Sequence, residues 1–276
     1  MTTAFSKNDL VKRWRFALIA LVTFVILGAI GLAVDVRQHG GYSGYGRQQT
    51  SQYYGLLNTS PLQRYTDVLG IGHNSGASIG TMKRALDYGA DVIEIDVAQR
   101  NGRLIAAHDS PVGWRSRVFR GLSLEQSWSF ASSASMIQLD LKERSPAFLE
   151  KVFVFLEQHA DDQTVMISTS DIETLSRFEE RMPDVLRFLS LGNAIHLDRF
   201  LTDSAVISLV DGVSVRHTML TPELVQQLEE MEVVIIAWTV NDLARVNDLV
   251  DMGVDGVSTD NLAIIELIHR LGRLLG

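Results

Sequence analysis

Glu94 and Asp96 stand two residues apart in the short apolar run DVIEID. Residues two apart in an extended strand project from the same face, so one strand presents two carboxylates side by side. On an otherwise buried strand such a pair is costly as packing. Paired carboxylate oxygens suit a hard divalent cation, Mg²⁺ or Ca²⁺. The alternative is a solvated edge-strand face, where charged residues are ordinarily found.

Asp140 and Lys142 repeat the spacing in IQLDLKE and share a face for the same reason. Asp140 is a third candidate ligand, or simply the ion-pair partner of Lys142. Lys142, between inward carboxylates, is read as a phosphate contact rather than a solvated cation. His73, after VLGIG, and His108, after RLIAA, each end an apolar run. They are either hydrogen-bonded structural histidines or a pair able to serve as base and acid near neutral pH. Trp238 ends VVIIAW and is a core residue or a wall of the site. Asp255 and Asp260, in GVDGVSTD, read as turn and helix-cap residues, and His196 and His217 have no partner motif, although Arg216-His217 follows a strand and could reach a rim.

The ordered set resembles the glycerophosphodiester phosphodiesterase family over roughly residues 67–265: His73, Gly-Ala-Asp…Glu-x-Asp, His108-Asp109, an acid two before Lys142, Trp-Thr-x-Asn and Gly-Val-Asp-Gly-x-x-Thr-Asp. The resemblance implies metal-assisted phosphodiester hydrolysis. Glu94, Asp96 and Asp140 would hold one divalent cation, His73 and His108 would transfer protons, and the products would be glycerol 3-phosphate and an alcohol. Three departures stand out, one being Asp140 where the family usually has the longer Glu. The family's His-Arg-Gly is His73-Asn74-Ser75-Gly76, so Asn74 meets the substrate where an Arg is usual. The family's Glu-Asn-Thr is Ile79-Gly80-Thr81. A phospholipase D-like action on lysophospholipids or sphingolipids is the second reading, and a non-catalytic barrel binding lipid or a partner is the third.

Positioning such residues requires elements that end at one place. From residue 67 onward short apolar runs (VLGIG, DVIEID, MIQLDL, TVMIST, LRFLSL, GVSV, VVIIAW, GVST) alternate with helical stretches such as PAFLEKVFVFLEQHA and TPELVQQLEEM. Alternating strands and helices predict a parallel sheet, and eight such strands predict an α/β (β/α)₈ TIM barrel over 67–276. Functional residues then gather at the C-terminal ends of the strands, where the candidates stand. LIAAH reads as an extension of the second strand. Residues 109–135 read as a short insertion carrying Arg115, Arg117 and Arg120 beside Trp114 and Phe119. That loop is either solvated or a contact for anionic phosphate or lipid headgroups.

The 276 residues carry a formal net charge of −8 and no cysteine. The acidic balance argues against nucleic acid as a partner, and the absence of cysteine excludes disulfides and thiolate sites. Phe16–Val34 is uncharged, follows a Lys/Arg-rich segment 1–15, and is long enough to span a bilayer. A single transmembrane helix over 16–34 is expected, with the N-terminus inside and the barrel on the non-cytoplasmic side; a cleaved signal is the alternative. Residues 35–66, rich in Gly, Tyr, Gln and Ser, read as a tether.

Overall fold

The computed structural model describes residues 68–109, 121–160 and 163–275, with side chains up to residue 272. Eight parallel strands close into a barrel in the order β1 (Leu69–Gly72), β2 (Val92–Arg100), β4 (Met136–Leu141), β5 (Thr164–Thr169), β6 (Leu186–Leu191), β7 (Gly212–Arg216), β8 (Val234–Trp238) and β9 (Gly256–Thr259), with β9 returning to β1. These are the eight predicted runs. β3 (Arg103–Ala106) folds back antiparallel on the end of β2, which is the extension expected of LIAAH.

Nine helices among the described residues cover the barrel: α1 (Ile79–Asp87), α2 (Leu124–Ala131), α3 (Pro146–His159), α4 (Ile172–Arg181), α5 (Ala194–Thr202), α6 (Ser204–Leu209), α7 (Pro222–Glu229), α8 (Leu243–Met252) and α9 (Leu262–Leu275). Each of α1 to α8 starts at a Ser, Thr, Asp or Asn whose side chain accepts a hydrogen bond from a first-turn N–H. The sequence reading leaves 109–135 as an insertion, but its second half is α2, opened by a capping box between Ser123 and Gln126. That Ser-x-x-Gln spacing is a start signal. α2 is the helix between the second and third barrel strands.

The main core lies between the helices and the outer barrel face, with Phe148, Phe178 and Phe200 fully enclosed. A second, small cluster of Ile71, Val92, Met166, Phe188 and Ile236 fills the floor of the barrel interior. Counting by twos from these floor residues identifies the other inward positions. His73, Glu94, Ser168, Ser190 and Trp238 stand two on from them, and Asp96 stands two beyond Glu94. The same alternation on the neighbouring strands turns Gln138, Asp140, Lys142, Ser214, Arg216, Ser258 and Asp260 inward. The interior therefore changes from apolar floor to polar mouth within one strand length.

At the floor end, Asp91, Asp211 and Asp255 each precede a strand and accept a backbone N–H from the neighbouring one: Gly70 at 2.8 Å, Arg187 at 2.7 Å and Ile235 at 2.7 Å. Asp255 lies in the bend before β9, as the turn reading expects, and also brackets that strand to its neighbour. Among the described residues no helix is long and apolar enough to cross a membrane. The expected anchor 16–34, the segment 1–15, the tether 35–66 and the arginine-bearing loop with Arg115, Arg117 and Arg120 lie outside the described residues.

Candidate active site

The parallel register sets Asp96 on β2 directly beside Asp140 on β4, and Glu94 beside Gln138. Glu94, Asp96 and Asp140 each bring an oxygen within 4.8 Å of the others. Lys142 donates to both aspartates, at 2.9 Å to Asp96 Oδ1 and 2.5 Å to Asp140 Oδ2. Its first contacts are therefore carboxylates, not open space at the mouth. Glu94 Oε2 accepts the Asn74 N–H at 3.2 Å and the Ser258 hydroxyl at 3.4 Å.

Three carboxylates and one ammonium leave a negative excess in a buried cup. Burial pushes the Glu94 carboxyl up to about 7; His73 opposes the shift and Asp96 and Asp140 add to it. Burial also raises Asp140, against the pull of Lys142. Asp96 Oδ2 is buried with no hydrogen-bond partner. A crowded acidic cluster with an orphaned oxygen fits a divalent cation, because hard cations take several carboxylate oxygens and relieve this repulsion.

His73 leaves the end of β1 with Nδ1 2.8 Å from Asp260 Oδ1. Asp260 is held in turn by Asn241, whose Nδ2 donates to Oδ2 at 2.9 Å while its Oδ1 accepts the Asp260 N–H at 2.9 Å. With Nδ1 facing a carboxylate, proton transfer by His73 falls to Nε2. Burial alone would depress the His73 pKa, but Glu94 and the Asp260 contact outweigh it and raise it to about 9. Asp260 is therefore the partner of a histidine, not the helix cap expected from sequence. The spacing rule used for Glu94 and Asp96 is the signal that could find it, since Ser258 and Asp260 also share the inward face. His108 follows β3 at the mouth, half exposed, with Nδ1 3.1 Å from Asp109 Oδ1. A protonated His108 would also lower the Asp140 carboxyl, after the larger effects of burial and Lys142.

The sequence profile of the glycerophosphoryl diester phosphodiesterase family matches residues 115–264, more than half of the chain. The chain belongs to this family. Its members are phosphoric diester hydrolases, and so is this enzyme. A glycerophosphodiester phosphodiesterase of Bacillus altitudinis is 26% identical over 213 residues, 64% of this chain and 86% of that protein. Among solved structures, an Oleispira antarctica phosphodiesterase in complex with the product sn-glycerol-3-phosphate superposes with a TM-score of 0.62 at 16% identity, covering 74% of this chain and 98% of that one. A glycerophosphodiester phosphodiesterase from Parabacteroides distasonis gives 0.57 at 18% identity, covering 76% and 97%. The structural likenesses carry the fold alone.

The profile match takes in Asp140, Lys142, Trp238, Asn241 and Asp260. His73, Glu94, Asp96 and His108 precede it and are brought to the same mouth by the barrel. The first-loop departures from the glycerophosphodiester phosphodiesterase pattern fall in that preceding part, whereas Asp140, where Glu is usual, lies within the match. Asn74 sits in the left-handed region with φ 46°, its side-chain Oδ1 buried without a partner. The loop it opens lies flat on β2: a Cβ on Gly76 would meet the Ile95 side chain at 2.5 Å and the Glu94 carbonyl at 2.9 Å. Ser127 of α2 donates to the Gly76 carbonyl at 2.8 Å and Thr81 of α1 to the Ser75 carbonyl at 2.7 Å, fixing the loop from two helices. Ile79, where the family has Glu, is an exposed hydrophobe.

On the far side of the mouth Trp238 ends β8, half-buried, with its indole Nε1 buried and unpartnered. The Arg216 guanidinium lies 5.5 Å above the Trp238 ring. His217 is half-buried beside Arg245 and Arg216, and burial followed by these two cations depresses its pKa. His196 hydrogen-bonds only within the Asn193 cap of α5.

Proposed function

We propose that the enzyme hydrolyses a glycerophosphodiester to glycerol 3-phosphate and an alcohol, with one divalent cation held by Glu94, Asp96 and Asp140. The observation that carries this reading is the acidic cluster, with one oxygen from each residue within 4.8 Å of the others, set between two histidines at the barrel mouth. When bound, the cation would polarise a non-bridging phosphoryl oxygen and stabilise the charge that develops there. Mg²⁺ and Ca²⁺ both suit an all-oxygen set of this kind.

The remaining work falls to this chain's own side chains. Asn241 orients Asp260, and Asp260 orients His73 so that Nε2 is the proton-transfer atom. His108 is the second proton-transfer group. One histidine relieves the attacking oxygen of its proton while the other supplies a proton to the departing alcohol. Lys142 neutralises Asp96 and Asp140 and keeps both oriented toward the cation. Trp238 walls the opposite side. Asn74, at the opening of the first loop, faces the substrate where the family has an Arg.

A lysophospholipid, cleaved to a lysophosphatidate and a head-group alcohol, is the second reading. The two exposed isoleucines at the strand-end side of the barrel favour it: Ile79, opening α1, and Ile195, opening α5, are 41% and 79% exposed. Residues 16–34 as a membrane anchor, with the barrel on the non-cytoplasmic side, would hold the enzyme at the membrane where such a substrate is found. The test is turnover of the full chain on glycerophosphocholine, glycerophosphoethanolamine and lysophosphatidylcholine, with and without a chelator. Chelator-sensitive release of glycerol 3-phosphate supports the first reading, and chelator-sensitive release of lysophosphatidate supports the second. Turnover indifferent to chelation and to E94Q would defeat both.

A further inference from the structure

Arg216 and Trp238 occupy a defined place in the ring of strands. β7 lies four strands from β2 by either route, and β8 lies four strands from β4. Arg216 and Trp238 are register partners, as are Asp96 and Asp140. The mouth is therefore built from two facing pairs: two acids on one wall, and a guanidinium over an indole on the other. In an eight-stranded barrel the interior is only wide enough for side chains or one small ligand. A phosphodiester against the acid-bound cation thus has its far side toward the Arg216 wall.

Arg216 meets the conditions for an anion contact. It is exposed and forms no ion pair with a carboxylate among the described residues, whereas Lys142, another inward cation, is bound by two aspartates. Its guanidinium is held by the indole rather than by a charge, leaving its fork of N–H donors for a ligand. Gly192, the next inward position after Ser190 at the end of β6, gives the pair room. A Cβ there would come within 3.5 Å of the Trp238 ring and 3.9 Å of the Arg216 guanidinium.

We infer that Arg216, supported by Trp238, is the anion-binding and specificity-determining residue of the mouth, contributing from the seventh strand the cation that Asn74 does not provide in the first loop. The inference rests on the phosphodiesterase reading of this site. Its ligand is an anionic oxygen group of the substrate, either the reacting phosphate or a second anion on the leaving alcohol.

Trp238 fluorescence tests this without turnover. Inorganic phosphate and sn-glycerol 3-phosphate are titrated into the full-length wild type, R216A, R216K and R216Q, with W238F as the blank for the other tryptophans. The expected result is a signal lost in W238F and an affinity weakened about ten- to a hundred-fold in R216A and R216Q, with R216K in between. Unchanged affinity in R216A and R216Q, or no response of the wild type to either ligand, overturns the assignment. The exposed position of Arg216 predicts unchanged melting in all three variants. Kinetics then separate the two sources. Equal loss of kcat/KM on glycerophosphocholine and glycerophosphoserine identifies the reacting phosphate, and loss confined to glycerophosphoserine identifies a second anion. A wild type inert on every diester would defeat the hydrolytic reading, and anion binding by Arg216 would still stand or fall by the titration.

Discussion

Asp91, Asp211 and Asp255 at the floor of the barrel and Glu94, Asp96 and Asp140 at its mouth are the same chemical group put to opposite uses. Each floor aspartate precedes its strand and accepts a backbone N–H of the adjacent strand at 2.7–2.8 Å. Asp211 also pairs with the Arg187 guanidinium at 3.4 Å, and burial raises Asp91 and Asp255 against the pull of their backbone hydrogen bonds. Such bonds satisfy donors that would otherwise be stranded. The mouth carboxylates are crowded, one is pushed up to about 7 by burial, and another keeps an oxygen with no partner. The floor set stabilises the fold. The mouth set costs stability until a cation arrives, and that imbalance marks the site.

The largest effect should come from the groups that complete the mouth. H73A and H108A should each lower turnover by about 10²–10⁴-fold, the usual range for a general acid or base, with melting temperature unchanged for H108A because that residue is half exposed. Steady-state kinetics on the best substrate checks this. If either variant stays within a factor of about three, that histidine is not a proton-transfer group.

A smaller effect is expected one residue further out. D260N keeps the shape but removes the charge facing His73, so turnover should fall roughly ten- to a hundred-fold. The His73 pKa in metal-free protein, about 9 in the wild type, should drop. NMR titration of the histidine ring separates this from a packing defect. An unshifted His73 in D260N would show that Asp260 is merely structural.

The smallest effects, of opposite sign, lie in stability. D255A leaves the Ile235 N–H without its acceptor and should destabilise by about 1–3 kcal/mol. E94Q should stabilise the metal-free protein by a similar amount, on the order of 1–3 kcal/mol. The Glu94 pKa rises from 4.5 to about 7 on folding. A raised folded pKa gives stability that is complete below the unfolded value of 4.5 and is lost as pH rises through about 7. The gain from E94Q should therefore appear near neutral pH and vanish near pH 4.5. Thermal melts in chelator at several pH values decide it. Equal destabilisation by both substitutions at neutral pH would erase the distinction between floor and mouth.

The barrel is legible in the sequence because its strands are continuous apolar runs and its helices carry their own caps; all eight predicted runs are barrel strands. Glu94, Asp96, Asp140 and Lys142 are legible because a spacing of two fixes their common face. What sequence does not supply is closure. Asp260 and His73 lie 187 residues apart and meet only because β9 pairs with β1. The same holds for Arg216 and Trp238, brought together by the pairing of β7 with β8. Lys142 reads as a phosphate contact in sequence, and its two aspartate partners become visible only in the structure. Asp255 is legible as a turn residue, but not as a bracket, since its partner is on another strand.

Calorimetric titration of Mg²⁺ and of Ca²⁺ into the full chain decides whether the mouth acids, and not the floor acids, form a cation site. Wild type, E94Q, D96N and D140N are compared with D91N and D255N. One site per chain is expected, abolished or greatly weakened in the three mouth variants and retained in the two floor variants. Wild-type affinity in E94Q, D96N and D140N, or its loss in the floor variants alone, would contradict the assignment of the cation to the mouth.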